Sequence, residues 1–222
     1  MNGLAPHTEK IFEGLSRLEC IKDYILMGGT ALALQLKHRQ SEDLDFCRWH
    51  TAKNERLEVN WHVIQQQLST LGDTKIVLVD NTQCDFIVES VRVTFLSDNK
   101  FKQPQNLQKI HYLNNICLAD VASISVMKME VMTRRNVFRD YYDMYSILKS
   151  GIDLGSILNR TGKYTFHNLR TKDMLSLLLN AQKPPADANF AALSPVYDIS
   201  FDEIKRYLVE KAKDFVRNKQ LK

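Results

Sequence analysis

The stretch from Met27 to Arg48, M-G-G-T-A-L-A-L-Q-L-K-H-R-Q-S-E-D-L-D-F-C-R, decides how the surrounding chain folds. It continues a short apolar run, residues 24–27, which predicts a buried strand that stops at two glycines. The Ala- and Leu-rich run from Ala31 to Lys37 predicts a buried helix capped by Thr30. Alternating polar and apolar residues from Asp43 to Cys47 predict a second strand. Because one short helix and a reversal separate the two strands, we expect them to lie side by side.

Two features of this stretch suit the chemistry of phosphate groups. Gly28 and Gly29 place no side chain at the strand–helix junction, so phosphate oxygens can approach the backbone N–H groups, and Thr30 adds a hydroxyl there. Asp43 and Asp45 are two residues apart on the predicted strand, which puts both carboxylates on one face. Such carboxylates repel each other unless a cation such as Mg²⁺ binds between them. Either feature alone is usually a turn or a solvated strand face, but together they predict displacement at phosphorus.

The chain changes character near residue 118. Before that point the patterns predict helices and three further strands, at residues 7–20, 57–71, 75–79, 84–88 and 91–96. After it they predict helices alone, at residues 121–134, 137–149, 169–181 and 201–216. This order predicts an α+β protein, with a mixed α/β domain over residues 1–118 and a helical domain over residues 119–222.

Charged residues stand at informative positions on two helices of the second half. One predicted helical face combines a cation with apolar and small residues: Val121, Ile124, Ser125, Lys128 and Met132. Lys128 either extends to the edge of this stripe or directs its charge at a triphosphate. Asp140 and Asp143 lie one turn apart and therefore share a face, as surface or capping charges or as parts of a site.

Two segments of this sequence resemble a known family. The Gly28–Thr30 turn, followed by H-R-Q-S-E-D-L-D-F at residues 38–46, is similar to the signature of AbiEii/AbiGii-type nucleotidyltransferases of the DNA polymerase β-like superfamily. The run A-S-I-S-V-M-K-M-E-V-M-T-R-R, followed by R-D-Y-Y-D-M, resembles the C-terminal motif of that family. The resemblance implies a polymerase β-like mixed sheet with flanking helices and a following helical bundle. It also implies Mg²⁺-dependent transfer of a nucleotide from an NTP.

The resemblance further implies roles for individual residues. It assigns catalysis to four residues from the two motifs: Asp43, Asp45, Lys128 and Asp143. Asp43 and Asp45 are the implied Mg²⁺ ligands. The implied nucleotide-binding residues come from the first motif: Gly28, Gly29, Thr30, Arg39 and Ser41. Arg139 and Asp140 match the second motif without a defined role, and His38 is either a solvated helix end or a direct participant.

The sequence departs from the superfamily at one position. Many polymerase β-like enzymes carry a third carboxylate on a later strand, where this chain offers Thr94. Asp85 and Glu89 are predicted to lie on the preceding strand and on one face, either as substitutes or as solvated residues. The sequence therefore favours a single Mg²⁺ held by Asp43 and Asp45 over a pair of metal ions.

Composition narrows the class of protein. The chain has 222 residues, 44% hydrophobic and 25% charged, which excludes disordered and fibrous proteins. Its net charge of +4 suits an anionic ligand without being a signature of nucleic-acid binding. The four cysteines are scattered without zinc-site spacing, so we expect reduced thiols. Without an apolar run of spanning length or a signal-peptide pattern, we expect a cytoplasmic protein and no membrane partner.

The sequence leaves the acceptor of the nucleotide open. An RNA such as tRNA and a protein are both candidates, and family membership would imply a toxin with a cognate antitoxin. Basic residues from Lys205 to Lys222 suit a phosphate backbone, but interleaved acidic residues favour a solvated helix face. Two other functions remain alternatives. One is a module of this fold that binds a nucleotide or partner without turnover, and the other is a transferase that modifies a small molecule.

Overall fold

The computed structural model of the protein describes residues 3–49, 58–98, 107–164 and 169–220. By internal contacts the chain divides into two compact units, Met1–Asp120 and Val121–Lys222. The strands lie in the first unit, whereas the described part of the second unit is helical. This architecture confirms the predicted α+β class.

The first unit alternates strands and helices before it ends in consecutive strands. Its helices are α1 (Pro6–Ser16), α2 (Gly28–Leu36) and α3 (Trp61–Leu68), with a single 3₁₀ turn at Glu19–Ile21. Its strands are β1 (Ile25–Met27), β2 (Leu44–Trp49), β3 (Thr74–Val79), β4 (Gln83–Val88), β5 (Val91–Asp98), β6 (Lys109–Leu113) and β7 (Ile116–Ala119).

Within the described residues these strands form one mixed sheet in the order β3-β4-β5-β2-β1-β7-β6. β1 pairs antiparallel with β2, which confirms the expected neighbourhood of the two strands, and β2 pairs parallel with β5. The register sets Met27 opposite Asp45 and Asp45 opposite Thr94. The strand with the aspartate therefore lies inside the sheet, where neighbours on both sides fix its position.

The strand period explains which way Asp45 points. Leu44 and Phe46 are almost completely buried, and the Phe46 ring stacks on Phe95 at a centroid distance of 5.3 Å. Tyr24 contacts the same Phe95 ring edge-on at 5.0 Å. Because successive side chains alternate across a sheet, Asp45 projects from the opposite face. Burial of the aromatic layer thus fixes the direction of the carboxylate.

The second unit is built from α4 (Val121–Met132), α5 (Phe138–Lys149), α6 (Leu154–Tyr164), α7 (Thr171–Leu179) and α8 (Phe201–Gln220). Tyrosines at helical spacing on α5 anchor it to the later segments. The Tyr141 ring meets Phe201 at 5.2 Å, and the Tyr145 ring meets Tyr207 at 4.9 Å, both edge-on. The Tyr142 hydroxyl accepts a hydrogen bond from the backbone N–H of Tyr197. α5 is consequently buried along most of its length.

Several elements differ from the sequence predictions. β6, β7 and α6 were not predicted, because β6 and β7 are short, β6 is largely exposed and α6 carries mixed polar residues. The helix predicted over residues 57–71 begins only at Trp61, since the Asn60 side chain caps it by accepting from Val63 N–H. Residue 57, where that helix was predicted to begin, lies outside the described residues.

The remaining expectations concern cysteines and membranes. None of the four cysteines, all of which lie in described segments, forms a disulfide, as predicted. Burial raises the pKa of the Cys20 thiol to about 11, as expected of a reduced cysteine that packs like a small apolar residue. No helix in the described segments has the length and apolarity needed to cross a bilayer.

Candidate active site

The glycine-turn cluster consists of Gly28, Gly29, Thr30, Arg39, Ser41, Asp43 and Asp45. At its centre, β1 passes into α2 without an intervening loop: Met27 is extended and Gly28 is already the first helical residue. Gly28 has a φ of +69°, in the left-handed region that disfavours residues with a Cβ atom. The first glycine therefore permits the abrupt change from strand to helix.

The carboxylate of Asp45 lies directly against this turn. A Cβ atom built on Gly28 would be 2.7 Å from Asp45 Oδ2, closer than side-chain carbons approach carboxylate oxygens. The β1–β2 register produces this proximity, because Asp45 is the partner of Met27. The structure thus brings Gly28 and Asp45 together, as the sequence predicted, and a side chain at residue 28 would displace the carboxylate.

Arg39 and Ser41 occupy the space beside the second glycine. A Cβ atom on Gly29 would be 2.7 Å from Arg39 Nη2 and 3.3 Å from Ser41 Oγ. Arg39 is 4% exposed, and its Nη1 donates to the carbonyl oxygen of Gln40 at 2.8 Å. A buried guanidinium is therefore held beside the first turn of α2, where the helix dipole is also positive.

Thr30 has a different place from the one predicted. It is the third residue of α2, and Met27 holds the N-cap position without a side-chain hydrogen bond, so the expected Thr30 cap is wrong. The reason is that the helix begins at Gly28. The buried Thr30 hydroxyl instead donates to the carbonyl oxygen of Asp43 and lies 2.8 Å from Ser41 Oγ. This hydrogen bond holds the backbone of Asp43 next to α2.

Asp43 and Asp45 offer the oxygen ligands that Mg²⁺ prefers. Asp43 is exposed and lies one residue before β2, whereas Asp45 is half-buried within that strand. The described residues contain no group of three or more His, Cys, Asp or Glu side chains placed to hold a metal ion. Mg²⁺ is commonly held by one or two carboxylates together with substrate phosphates and water. The donor chemistry of Asp43 and Asp45 fits this mode of binding.

The candidates for a third carboxylate lie away from this pair. Asp85 faces Thr94, which faces Asp45, so two strand spacings of about 4.8 Å separate the backbones of the two aspartates. Asp85 is 6% exposed, accepts from Gln83 Nε2 at 2.9 Å and lies 3.6 Å from Arg92 Nη1. Asp85 is therefore not solvated, and its carboxylate already has Gln83 and the half-exposed Arg92 as partners.

Glu89 does not lie on the strand that was predicted to carry it. β4 ends at Val88, which pairs with Val91, and residues 89 and 90 form the turn between them. Glu89 has a φ of +47°, and its Oε1 accepts from the backbone N–H of Asp73 at 2.7 Å. The prediction that Asp85 and Glu89 share a strand face is thus wrong, because the hairpin closes one residue earlier.

His38 was expected either at a solvated helix end or as a direct participant in the site, and its surroundings differ from the first expectation. α2 ends at Leu36, and Lys37 adopts a left-handed conformation that turns the chain back towards β2. This turn places His38 inside, where it is 2% exposed. His38 is therefore not a solvated helix end.

The lysine cluster, in the second unit, consists of Lys128, Arg135, Asp140 and Asp143. Lys128 Nζ lies 2.9 Å from Asp140 Oδ1 and 2.6 Å from Asp143 Oδ2. Arg135 Nε and Nη2 donate to the two oxygens of Asp140 at 2.7 and 3.0 Å. Two cations and two carboxylates thus form one compact network between α4 and α5.

Burial excludes one of the alternatives left open for these residues. Asp140 and Asp143 have no exposed surface and Lys128 is 7% exposed, so none of them is a surface charge. Burial by itself would raise the pKa of Asp140, but the charge of Lys128 and hydrogen bonds from Arg135 outweigh it and leave that pKa below its usual 3.8. Asp140 therefore stays ionised, and the Lys128 amine is held in place by two carboxylates.

Arg135 is the member of this cluster that sequence reasoning missed. It precedes Asp140 by five residues across the turn between α4 and α5, and no helical spacing rule relates such positions. Its neighbour Arg134 pairs with Glu130 on α4, which helical spacing would predict. Arg139, part of the matched motif, pairs with Asp187 at 2.6 Å. The geometry of the turn between α4 and α5 decides which of these three arginines pairs with Asp140.

Comparison with known proteins identifies the family. A family model described as "Nucleotidyl transferase AbiEii toxin, Type IV TA system" matches residues 10–207. The chain belongs to this family. The AbiEii assignment covers both the glycine-turn cluster and the lysine cluster, and it makes this chain a nucleotidyltransferase of a toxin family.

Similar proteins match nearly the whole chain. The uncharacterized protein aq_aa25 of Aquifex aeolicus strain VF5 is 21% identical over 219 residues, 98% of this chain and 100% of the relative. JHP933 from Helicobacter pylori covers 97% of this chain and 94% of its own at 15% identity, with a TM-score of 0.57. MenT4, a nucleotidyltransferase toxin of Mycobacterium tuberculosis H37Rv, covers 94% and 88% at 12% identity, with a TM-score of 0.54. These structures share the fold.

Proposed function

We propose that this chain is a Mg²⁺-dependent toxin that transfers a nucleotide from an NTP to an RNA acceptor such as a tRNA. The observation that carries the proposal is the Asp45 carboxylate against Gly28, at the first turn of α2. A carboxylate beside a helix N-terminus repels a phosphate group bound there, unless a cation lies between the two negative charges. Mg²⁺ with a triphosphate satisfies both groups at once.

The first turn of α2 is suited to the triphosphate. The first backbone N–H groups of a helix have no partners within the helix, and they favour phosphate oxygens. Gly28 and Gly29 add no side chain of their own beside these groups, and the Arg39 guanidinium lies beside Gly29. Ser41 and Thr30 support this region through their paired hydroxyls. We assign triphosphate binding to this turn.

Asp43 and Asp45 would hold the metal ion. When bound, Mg²⁺ supplies positive charge that offsets the charge on the phosphates and holds their oxygens in a fixed arrangement. The Thr30 hydroxyl fixes the backbone of Asp43, and pairing with β1 and β5 fixes Asp45. The backbones of both aspartates are therefore held in position before any ligand arrives, which lowers the cost of binding.

Lys128 and Asp143 serve the same reaction in this proposal. We assign to Lys128 the stabilisation of negative charge on the triphosphate or on the departing pyrophosphate. Asp143 lies 2.6 Å from the Lys128 amine, which supports an orienting role for this carboxylate rather than removal of a proton from the acceptor. Asp140 shares that orienting role from the other side of the amine.

The acceptor and the partner are proposed on broader grounds. The net charge of +4 favours an anionic acceptor over a neutral one, so we place RNA before protein and small-molecule acceptors. The toxin family implies a cognate antitoxin that limits the activity in the producing cell.

Transfer of label from α-labelled NTPs tests this function. Each of the four NTPs is incubated with Mg²⁺ and with total RNA, purified tRNA or protein, and the labelled species is identified. We expect label in RNA, and its loss with Asp43→Asn and with Asp45→Asn. Asp85→Asn is the matched control, because Asp85 is a carboxylate on the same sheet face outside the cluster. Transfer that survives both Asp43→Asn and Asp45→Asn in one protein would refute the metal assignment, and label in protein alone would refute the RNA acceptor.

A further inference from the structure

The N-terminal segment, residues 3–8, lies alongside the loop that joins α2 to β2. The backbone N–H of Ser41 donates to the carbonyl oxygen of Gly3 at 3.0 Å, and the N–H of Ala5 donates to the carbonyl oxygen of Ser41 at 2.9 Å. Leu4 consequently forms an isolated parallel bridge with Ser41. This pairing holds the backbone of Ser41 through both its donor and its acceptor.

Thr8 extends this contact to the next residue of the loop. Its side chain is completely buried, and its hydroxyl donates to the carbonyl oxygen of Glu42 at 2.7 Å. Glu42 directly precedes Asp43, whose own carbonyl oxygen accepts from the Thr30 hydroxyl. Thr8 and Thr30 are each the third residue of their helices, α1 and α2. Hydroxyls from two helices therefore hold the consecutive carbonyl groups of Glu42 and Asp43.

Gly3 brings the same segment against α2. Its φ is +114°, and a Cβ atom on Gly3 would be 2.6 Å from the carbonyl oxygen of Ala33. A residue without a Cβ atom is needed for the backbone to approach α2 so closely. The neighbouring Leu4 and Ala5 are almost completely buried. The N-terminal segment therefore contacts both α2, which begins at the glycine turn, and the loop that leads to the aspartates.

The loop depends on such contacts because it has little regular structure of its own. Between the end of α2 at Leu36 and the start of β2 at Leu44, a stretch that the structure describes in full, the bridge at Ser41 interrupts an otherwise irregular backbone. Backbone groups outside helices and sheets need partners from elsewhere. Arg39, Ser41 and Asp43 all lie on this loop. The partners of its backbone consequently set the positions from which those side chains start.

We propose that the N-terminal segment is a positioning element for nucleotidyl transfer, with Thr8 as the positioning residue for Asp43. This inference rests on the proposed function, because it concerns residues to which triphosphate and Mg²⁺ binding are assigned above. The buried Thr8 hydroxyl is engaged with Glu42, so Thr8 acts through the loop backbone rather than on the phosphates. A loop that is already fixed need not be ordered when the ligand binds. Loss of the contact should therefore weaken ligand binding.

Calorimetric titration with Mg²⁺ and inorganic triphosphate tests the inference without an acceptor or turnover. Thr8→Val keeps the shape of threonine but cannot donate, and we expect it to raise the dissociation constant about threefold to tenfold. Thr8→Ser keeps the donor and should bind as wild type does. Thr161→Val is the matched control, because the equally buried Thr161 hydroxyl donates to a carbonyl oxygen at the same 2.7 Å in the other unit. This control should lose stability to urea but keep its affinity.

Gly3→Ala is a second probe of the N-terminal segment. The added Cβ atom must move the backbone away from the Ala33 carbonyl oxygen, so we expect a similar loss of affinity. Gly151→Ala is its control, because Gly151 also has a positive φ but nothing within 4 Å of the added atom. Its affinity for Mg²⁺ and triphosphate should equal that of wild type.

The outcomes separate this inference from the proposed function. Suppose that wild type binds Mg²⁺ and triphosphate and that Asp43→Asn abolishes this binding. Unchanged affinity in either Thr8→Val or Gly3→Ala would then overturn the inference and leave the proposed function standing. An equal loss of affinity in Thr161→Val would overturn it too, because general destabilisation would explain the effect. A wild type that does not bind these ligands would overturn the proposed function together with the inference.

Discussion

Two constraints act on Gly28, one on its backbone conformation and one on the space where a side chain would lie. Its positive φ is unfavourable for a residue with a Cβ atom, and the space where that atom would lie is taken by Asp45 Oδ2. The first constraint concerns stability alone, whereas the second concerns the position of a proposed metal ligand. The two constraints can be separated experimentally, because another glycine in the chain carries the first without the second.

Gly28→Ala should reduce nucleotide transfer about tenfold or more and lower stability by about 1–2 kcal/mol. The stability loss comes from the left-handed backbone, and the loss of transfer comes from displacement of the Asp45 carboxylate. Gly151→Ala is the matched control, because Gly151 has a φ of +100° and nothing within 4 Å of the added Cβ. It should lower the melting temperature but leave transfer unchanged. Equal losses of transfer in both variants would show that strain alone is responsible.

Thr30→Val should impair transfer through Asp43. Valine keeps the shape of threonine but cannot donate to the Asp43 carbonyl, so we expect a stability loss of about 1–3 kcal/mol and a higher Mg²⁺ requirement. Thr161→Val is the comparison, since this buried hydroxyl donates to the Ile157 carbonyl within α6. Denaturant unfolding and Mg²⁺ titration of transfer measure the two effects. A Mg²⁺ requirement equal to wild type in Thr30→Val would contradict the role assigned to this hydroxyl.

At the scale of elements, the pairing of α4 and α5 holds a buried charge network. The lysine cluster has two cations and two carboxylates, and Arg135 on the turn closes it. Removing one member leaves a buried charge without one of its partners. The resulting loss in the free energy of unfolding is larger than the contribution of the intact pair. Stability should therefore depend on pH wherever one of these carboxylates titrates.

Asp140→Asn should lower stability near neutral pH by about 1–3 kcal/mol, because the amide replaces an ionised partner of Lys128 and Arg135. The pKa of Asp140 is lowered in the folded state, so its contribution is present above pH 3.8 and is lost as pH falls below that value. Urea unfolding of both proteins at a series of pH values measures this. The difference should be constant above pH 3.8 and shrink below it. A difference that grows on acidification would contradict the assigned direction.

The elements also show what the sequence could and could not predict. β1, α2 and β2 followed from apolar periodicity and from the glycines, and their pairing followed from the short connection between them. The start of α2 at Gly28 could not be predicted in this way, because apolar periodicity does not show whether a glycine before the apolar run already belongs to the helix. Arg135 was missed for a related reason, since its contact with Asp140 depends on the geometry of a turn.

At the scale of the whole molecule, basic and acidic residues are interspersed. α8 carries exposed basic residues such as Lys213 and Arg217, but acidic residues alternate with them, and Arg217 lies 3.5 Å from Asp214. An alternating face has a weak net field, so it contributes little to binding of a phosphate backbone. The fold class was predictable from the switch between mixed and helical patterns, because that switch extends over many residues.

Replacing Lys213 and Arg217 by glutamine should change the KM for an RNA acceptor by less than about twofold. The neighbouring acidic residues already offset these charges, so few counterions are released when RNA binds there. Transfer measured against RNA concentration at two salt concentrations provides the test, with the wild type as reference. A large rise in KM together with a weaker salt dependence would instead place the acceptor on α8.

The pairing of Met27 with Asp45 has a consequence for how the gene can vary. A single-residue deletion or insertion in the connection between α2 and β2 would exchange the two faces of β2 relative to β1. A deletion would put Phe46, and an insertion Leu44, in the place of Asp45 beside the glycines, and in both cases the carboxylate would enter the aromatic core. Homologous chains should therefore conserve the length of this connection even where its residues differ.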